Sequence, residues 1–132
     1  MATNPKTKAK ILAVDDSISM QGMIQQTLEA QYQVLLASNT VEALGKLYHE
    51  GIDLMLLDIS MPGVDGLELC KILRKSPEFK KLPIIILTAR DGASEQMEGR
   101  LAGATHYMTK PFDPNDLRQT IARILRTQNL GR

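Results

Sequence analysis

The sequence predicts an α/β protein: one doubly wound, five-stranded parallel sheet with helices on both faces. Three observations predict it. Short apolar runs and helix-like stretches alternate five times along the 132 residues. Leu54–Leu57 and Ile84–Leu87 are continuously apolar rather than alternating, as strands covered on both faces are. No repeat, low-complexity segment or interdomain linker interrupts the series, so one domain is expected. Five β/α units with right-handed crossovers imply a doubly wound sheet. Strand order does not follow from periodicity.

Met1 to Ala9 are polar and lysine-containing and read as a loose leader, so the domain is expected over 10–127, with 128–132 as a tail. The first strand is Lys10–Val14, with a helix from about Ile18 to Ala30. The second is Gln33–Ala37, after which Asn39-Thr40-Val41-Glu42 opens a helix with capping-box spacing. The third strand, Asp53–Leu57, leads into a loop carrying Met61-Pro62-Gly63 and Asp65-Gly66, both turn signals. A helix from Leu67 must stop before Pro77. Pro83 introduces Ile84–Leu87, and a helix covers about Ser94 to Ala102. Thr105–Thr109 makes the fifth strand. Asp113-Pro114 combines an N-cap with proline at the first helical position. That helix runs to about Arg126, and Asn129-Leu130-Gly131-Arg132 is expected to fray.

Composition narrows the function. Hydrophobic residues at 43% and charged residues at 23% suit a soluble globular domain. The formal charge of +1, from 16 basic and 15 acidic residues, leaves no basic footprint for nucleic acid. No apolar run approaches the ~20 residues that span a bilayer, and no apolar stretch follows the start as a signal peptide requires. The single Cys70 excludes an intrachain disulfide and a cysteine-cluster metal site. A reducing cytoplasm is the expected compartment.

The chemistry stands at the ends of four strands. Ile11–Val14 runs into Asp15-Asp16, Leu54–Leu57 into Asp58, Ile84–Leu87 into Thr88-Ala89, and Tyr107–Thr109 into Lys110-Pro111. If these strands are parallel neighbours, all five groups reach one carboxyl edge, where ligands of open α/β folds bind. Taken singly, each has a plainer reading: a strand-end aspartate can cap a helix, Thr88 can be a turn hydroxyl, and Lys110 a solvated charge. Their joint occurrence points to a site. Three crowded carboxylates are costly without compensation. Mg2+, which takes oxygen ligands and is often held by one or two carboxylates, supplies it. A carboxylate can also attack phosphorus to give an acyl phosphate. Lys110 and Thr88 would then neutralise and hydrogen-bond the phosphoryl oxygens.

At this point the chain resembles a response-regulator receiver domain of the chemotaxis-regulator type, from two-component signalling. The matching residues are Val14-Asp15-Asp16-Ser17, Leu57-Asp58-Ile59-Ser60-Met61-Pro62-Gly63, Leu87-Thr88-Ala89 and Lys110-Pro111-Phe112. They span Ile11 to about Leu125. The resemblance implies a flavodoxin-like sheet of order 2-1-3-4-5. It implies Asp58 as phosphoacceptor from a histidine-kinase phosphohistidine, with Thr88, Lys110 and Ala89 contacting the phosphoryl group. Asp16, Asp58 and the Ser60 backbone carbonyl would ligate Mg2+, and Asp15 would act largely through a metal-bound water. No enzyme activity is implied beyond Mg2+-dependent self-phosphorylation and autodephosphorylation.

The family's switch aromatic lies three residues before the lysine, here Tyr107. In family members the threonine moves toward the phosphoryl group and the aromatic turns inward. Ser60 and Arg90, two residues after Asp58 and Thr88, occupy positions that modulate phosphate lifetime. Serine and arginine do not form the best pair for aligning an attacking water, so slow phosphate loss is expected. His49 and His106 are expected to be structural or surface residues away from strand ends, with His106 facing opposite Tyr107.

The partners implied are a sensor histidine kinase or phosphotransfer protein and a downstream protein target, without direct nucleic-acid contact or membrane insertion. The docking face is expected on the fourth helix, fifth strand and fifth helix, around Ala93, Met97, Tyr107 and Arg118. Two other classes fit less well. A haloacid-dehalogenase-type phosphatase places its two aspartates one residue apart after its first strand, whereas Asp15 and Asp16 are adjacent. A flavodoxin-like nucleotide binder needs a Gly-rich loop where Asp15-Asp16-Ser17 stands. A receiver excised from a larger DNA-binding regulator or hybrid kinase is a better alternative than either, since nothing in the 132 residues shows whether a partner domain was removed.

Overall fold

The structure, a computed structural model, describes residues 8–60 and 66–130, with side chains through 128. The turn expected at Met61-Pro62-Gly63 and Asp65, most of the leader, and Gly131 and Arg132 lie outside the described residues. Ten elements alternate: β1 Lys10–Val14, α1 Ile18–Leu28, β2 Gln33–Ala37, α2 Thr40–His49, β3 Leu54–Leu57, α3 Gly66–Lys75, β4 Ile84–Thr88, α4 Ala93–Leu101, β5 His106–Thr109 and α5 Pro114–Leu130. The strands form one parallel sheet of order β2-β1-β3-β4-β5. All five carboxyl ends therefore reach the same edge.

The uninterrupted apolar runs follow from double coverage. Leu12, Val14, Met55, Leu57, Ile84 and Ile86 point to one face and pack with Ala43, Leu47, Leu69 and Leu73 of α2 and α3. Ile11, Ala13, Leu54, Leu56, Ile85 and Leu87 point to the other and pack with Ile24, Leu28, Leu117 and Ile121 of α1 and α5. Successive strand residues alternate sides, so a strand buried on both faces has no polar position to spare. Each fully buried aliphatic side chain contributes about 1.5–3 kcal/mol.

Helix starts follow local chemistry. Ser17 caps α1, its hydroxyl accepting from Met20 N at 3.2 Å. Asn39 caps α2 through Glu42 N at 2.9 Å, while the Glu42 carboxylate takes the N–H of Ser38, one residue before the cap. Asp113 accepts from Asn115 N at 2.8 Å and Asp116 N at 3.3 Å, the expected cap of α5.

Several boundaries differ from the sequence reading. β3 starts at Leu54, because Asp53 instead turns its carboxylate to the Lys10 N–H at 2.8 Å. β5 starts at His106, after Thr105 has accepted from the Ile84 N–H at 3.0 Å. α1 stops at Leu28, α3 begins at Gly66, and α4 spans Ala93–Leu101 behind Gly92, which offers no side-chain cap. α5 runs four residues beyond Arg126, to Leu130. Gln128 Nε2 donates to the Lys81 carbonyl at 3.0 Å and ties that end to the β4 side of the domain.

Among the described residues the one with positive φ is Gly103, at 104°, just after α4. Its carbonyl accepts from Arg74 Nε at 2.7 Å, and Arg74 also donates to the Phe79 carbonyl. A left-handed backbone here lets the chain reverse sharply into β5, and only glycine adopts it without strain.

Candidate functional site

Three backbone hydrogen bonds extend the sheet one residue past its carboxyl edge. Asp15 N donates to Ala37 O at 3.0 Å, Asp58 N to Val14 O at 3.0 Å, and Lys110 N to Thr88 O at 2.8 Å. The ladder thus fixes the chemical residues against one another before any side-chain contact forms.

The side chains then converge. Lys110 Nζ lies 2.6 Å from Asp15 Oδ2 and 3.2 Å from Asp58 Oδ2. Asp15 and Asp58 are buried, and Asp16 is exposed at the mouth. One carboxylate oxygen from each of the three lies within 4.8 Å of the others. Asp15 Oδ1 accepts from Ser17 N at 2.9 Å, so neither aspartate caps α1; the cap is Ser17. Asp58 Oδ1 accepts from both Ser60 N at 2.9 Å and Ser60 Oγ at 2.7 Å. Thr88 is buried at the end of β4, its hydroxyl accepting from Arg90 N at 3.4 Å, while Ala89 and Arg90 are exposed.

Electrostatics follow from this packing. Burial pushes the Asp58 carboxyl up, but the Ser60 N–H and hydroxyl, the Lys110 ammonium and the Thr88 hydroxyl outweigh it and hold the carboxyl below its ordinary value. Burial likewise pushes Lys110 down, and the Asp15 and Asp58 carboxylates more than reverse it. The residues fit a hard cation. Three carboxylates face one ammonium, so negative charge is left over, and every donor is oxygen.

Tyr107 lies on the α4 side of β5, its hydroxyl donating to the Arg90 carbonyl at 2.7 Å. Its ring packs on Gly99, where an added Cβ would fall 2.8 Å from Tyr107 Cδ2. A groove of about 390 Å3 beside it is lined by Gln96, His106, Phe112, Asp113 and Asp116 as well as Tyr107. Ala93 and Met97 are exposed on α4.

Arg118 does not join them. Its guanidinium donates to the Thr27 carbonyl of α1 at 3.2 Å and to Asn115 Oδ1, which turns it to the opposite flank of α5. The helix register decides this, and position in the sequence alone did not. His106, expected as a structural or surface residue, is half-buried at the start of β5, at the amino edge away from the cleft; burial pushes its imidazole down, and Arg123 of α5 adds to this. His49 ends α2, exposed.

Two contacts escaped the sequence reading. The Ser60 side chain reaches Asp58 directly, a contact the Asp-x-Ser spacing makes available as a local turn. Gln21 of α1 is buried against the first strand's end, donating to the Asp15 carbonyl at 2.6 Å. A glutamine in an apolar helix stripe was the only signal for it.

The comparisons agree with this geometry. The family model described as the response regulator receiver domain matches residues 11–122. The chain belongs to that family, the receiver domains of two-component response regulators. It is 41% identical over 123 residues to the alkaline phosphatase synthesis transcriptional regulatory protein PhoP of Bacillus subtilis, covering 92% of this chain and 50% of that one. It is 42% identical over 118 residues to response regulator MprA of Mycobacterium leprae, covering 89% and 51%. The chain thus spans about half the length of the curated relatives it matches. The solved chemotaxis protein CheY4 of Vibrio cholerae superposes with a TM-score of 0.83 at 39% identity, over 89% of this chain and 98% of that one. Response regulators interact with histidine kinases and downstream targets, and receiver domains bind Mg2+ at an acidic pocket without being enzymes in the usual sense. Among the described residues no helix is long and apolar enough to cross a membrane.

The shifted groups predict a pH response. The depressed Asp58 contributes stability that is complete above the ordinary carboxylate pKa of about 3.9 and is lost as pH falls through its lower folded value. The raised Lys110 contributes below about 10.4, and that contribution is lost as pH rises through its higher folded value. Between those limits the contribution of these two groups is flat. In Lys110→Met the Asp58 carboxyl loses its cation. Its 13C titration in metal-free buffer should move to higher pH, and an unmoved midpoint contradicts the role given to Lys110.

Proposed function

We propose that this domain is a phosphorylation-controlled switch in which Asp58 accepts a phosphoryl group from the phosphohistidine of a histidine kinase or phosphotransfer protein. One observation carries the reading: Asp58 is buried, its carboxyl is held below its ordinary value, and it shares one ammonium with Asp15 at the carboxyl edge. In the transfer an Asp58 carboxylate oxygen forms the new O–P bond, and the P–N bond to the donor histidine breaks with its electron pair returning to the ring nitrogen. Lys110, held between two carboxylates, shifts its pairing from Asp58 to the added phosphoryl oxygens. Thr88 donates its hydroxyl and Ala89 its N–H to the others. This is positioning and charge stabilisation rather than acid–base work.

Asp15, Asp16, Asp58 and the Ser60 carbonyl are the groups that would hold Mg2+, Asp15 largely through water. When bound, Mg2+ supplies the positive charge that three carboxylates and an incoming phosphoryl group lack. The location of the domain is read as cytoplasmic, and net charge +1 supports protein rather than nucleic-acid partners.

The output runs through Thr88 and Tyr107. Thr88 senses the phosphoryl group, and its loop carries the Arg90 carbonyl that the Tyr107 hydroxyl grips. Movement of Thr88 inward frees space for the ring and releases that grip, which changes the face formed by Ala93, Met97 and Tyr107. Ligands shift an equilibrium only by differential contacts, and couplings of this kind are about 1–3 kcal/mol. Partner affinity should therefore change roughly 5–150-fold. Ser60 and Arg90 disfavour fast hydrolysis, since neither holds a water as well as an amide or carboxylate would.

Three measurements test this reading. With acetyl phosphate and Mg2+, intact mass should show one phosphoryl group, absent in Asp58→Asn and weakened in Asp16→Ala through a higher Mg2+ requirement. Full labelling of Asp58→Asn defeats the assignment. The half-life of the labelled protein should be minutes or longer, and decay within seconds refutes the role of Ser60 and Arg90. Beryllofluoride, an acyl-phosphate mimic, should shift amide resonances across Asp91–Tyr107. Shifts confined to the Asp15, Asp58 and Lys110 loops would rule the switch out.

A further inference from the structure

Helix α1 buries three residues on one stripe: Gln21, Ile24 and Leu28. Two are aliphatic and fill the α1/α5 face of the core. Gln21 instead aims its amide at the rim of the acidic site. Nε2 donates to the Asp15 carbonyl at 2.6 Å, lies 3.1 Å from Ser38 Oγ, and reaches the Ala37 carbonyl at 3.5 Å. It therefore grips the loop after β1 and the loop after β2 together. Ser38 is itself held, its N–H donating to the Glu42 carboxylate at 2.7 Å.

The consequence falls on Asp16. Among the described residues no hydrogen bond or ion pair holds its carboxylate, which is exposed, whereas Asp15 and Asp58 are each fixed from two sides. The Asp15–Asp16 peptide is planar, so the direction of the Asp15 carbonyl sets the plane from which Asp16 departs. Gln21 holds that carbonyl. The Ser17 N–H, on the far side, holds the Asp15 carboxylate at 2.9 Å. Asp16 thus sits in a turn clamped at both ends. Core packing alone does not call for an amide here, because a buried polar group costs free energy that its hydrogen bonds only offset.

We infer that Gln21 is a positioning residue for the acidic site, setting the Asp15–Asp16 peptide so that the Asp16 carboxylate stands with those of Asp15 and Asp58. The inference rests on the Mg2+ reading of that site. Gln21 touches neither metal nor phosphoryl group and acts only through the backbone of Asp15. Its removal therefore weakens cation binding and leaves the phosphoryl-transfer machinery intact once the cation is supplied in excess.

The test is a Mg2+ titration of the whole chain followed by amide chemical shifts, on wild type, Gln21→Met and Asp16→Ala. Gln21→Met keeps an unbranched chain of similar length and removes the donor. Its Mg2+ Kd should rise about tenfold, the lower end of the loss seen when the outer partner of a metal ligand is removed. Its rate of labelling by acetyl phosphate should need about tenfold more Mg2+ to reach half-maximum but attain the wild-type plateau. A purely structural glutamine would move the thermal midpoint and leave both Mg2+ dependences alone. If Gln21→Met does not fold, Ser38→Ala frees the second anchor of the amide and should raise the Kd about threefold, one neutral hydrogen bond at the low end of its range. An unchanged Kd beside a wild type that binds overturns the inference. A wild type that gives no saturable response, like Asp16→Ala, overturns the Mg2+ reading and the inference with it.

Discussion

Three clustered carboxylates at the carboxyl edge, two of them sharing one ammonium, are the constraint on which the rest of this structure depends. Asp15 and Asp58 are buried, and like charges at this distance repel strongly where water is scarce. Lys110 bridges both, at 2.6 and 3.2 Å, and offsets only part of the charge. The remainder is spread over fixed donors: the Ser17 N–H on Asp15, and the Ser60 N–H and hydroxyl on Asp58. A cluster held in this way is tolerated in the fold and keeps an excess of negative charge, which suits a hard cation.

The sheet makes the cluster possible. Because all strands are parallel, the residues that follow β1, β3, β4 and β5 emerge side by side. The ladder continues one residue beyond the strands, so the backbones of Asp15, Asp58 and Lys110 are registered by hydrogen bonds rather than by loops. Apolar packing on both faces holds that register rigidly. α4 is held less closely than the sheet: it follows Gly92, which gives it no side-chain cap, and it exposes Met97 and Leu101.

The link between site and surface is short. From Thr88 to Arg90 is two residues, and the Arg90 carbonyl is bound by Tyr107 on the neighbouring strand. Gly99 leaves room for the Tyr107 ring against α4, where a methyl group would collide with it. The end of β4 is thus joined to the α4 face through one hydrogen bond and one ring contact.

Much of this was legible in the chain itself. Alternating apolar runs located all five strands and five helices, because strands buried on both faces cannot hide their composition. Strand-end chemistry assembled Asp15, Asp16, Asp58, Thr88 and Lys110, because parallel topology brings carboxyl ends together whatever the details. The resemblance to receiver domains supplied the strand order, which periodicity could not. Tertiary structure alone decided the remainder. The sequence places Arg118 on α5 but not on which flank, and the rotation of the helix turned it to Thr27 of α1. Asn129 and Leu130 read as a fraying tail until Gln128, just before them, met the Lys81 carbonyl. Gln21 stands six residues after Asp15, and only folding brings its amide to the Asp15 carbonyl. Sequence patterns report which surfaces must be buried. Which polar group meets which partner across the fold depends on distances that exist only after the elements have packed.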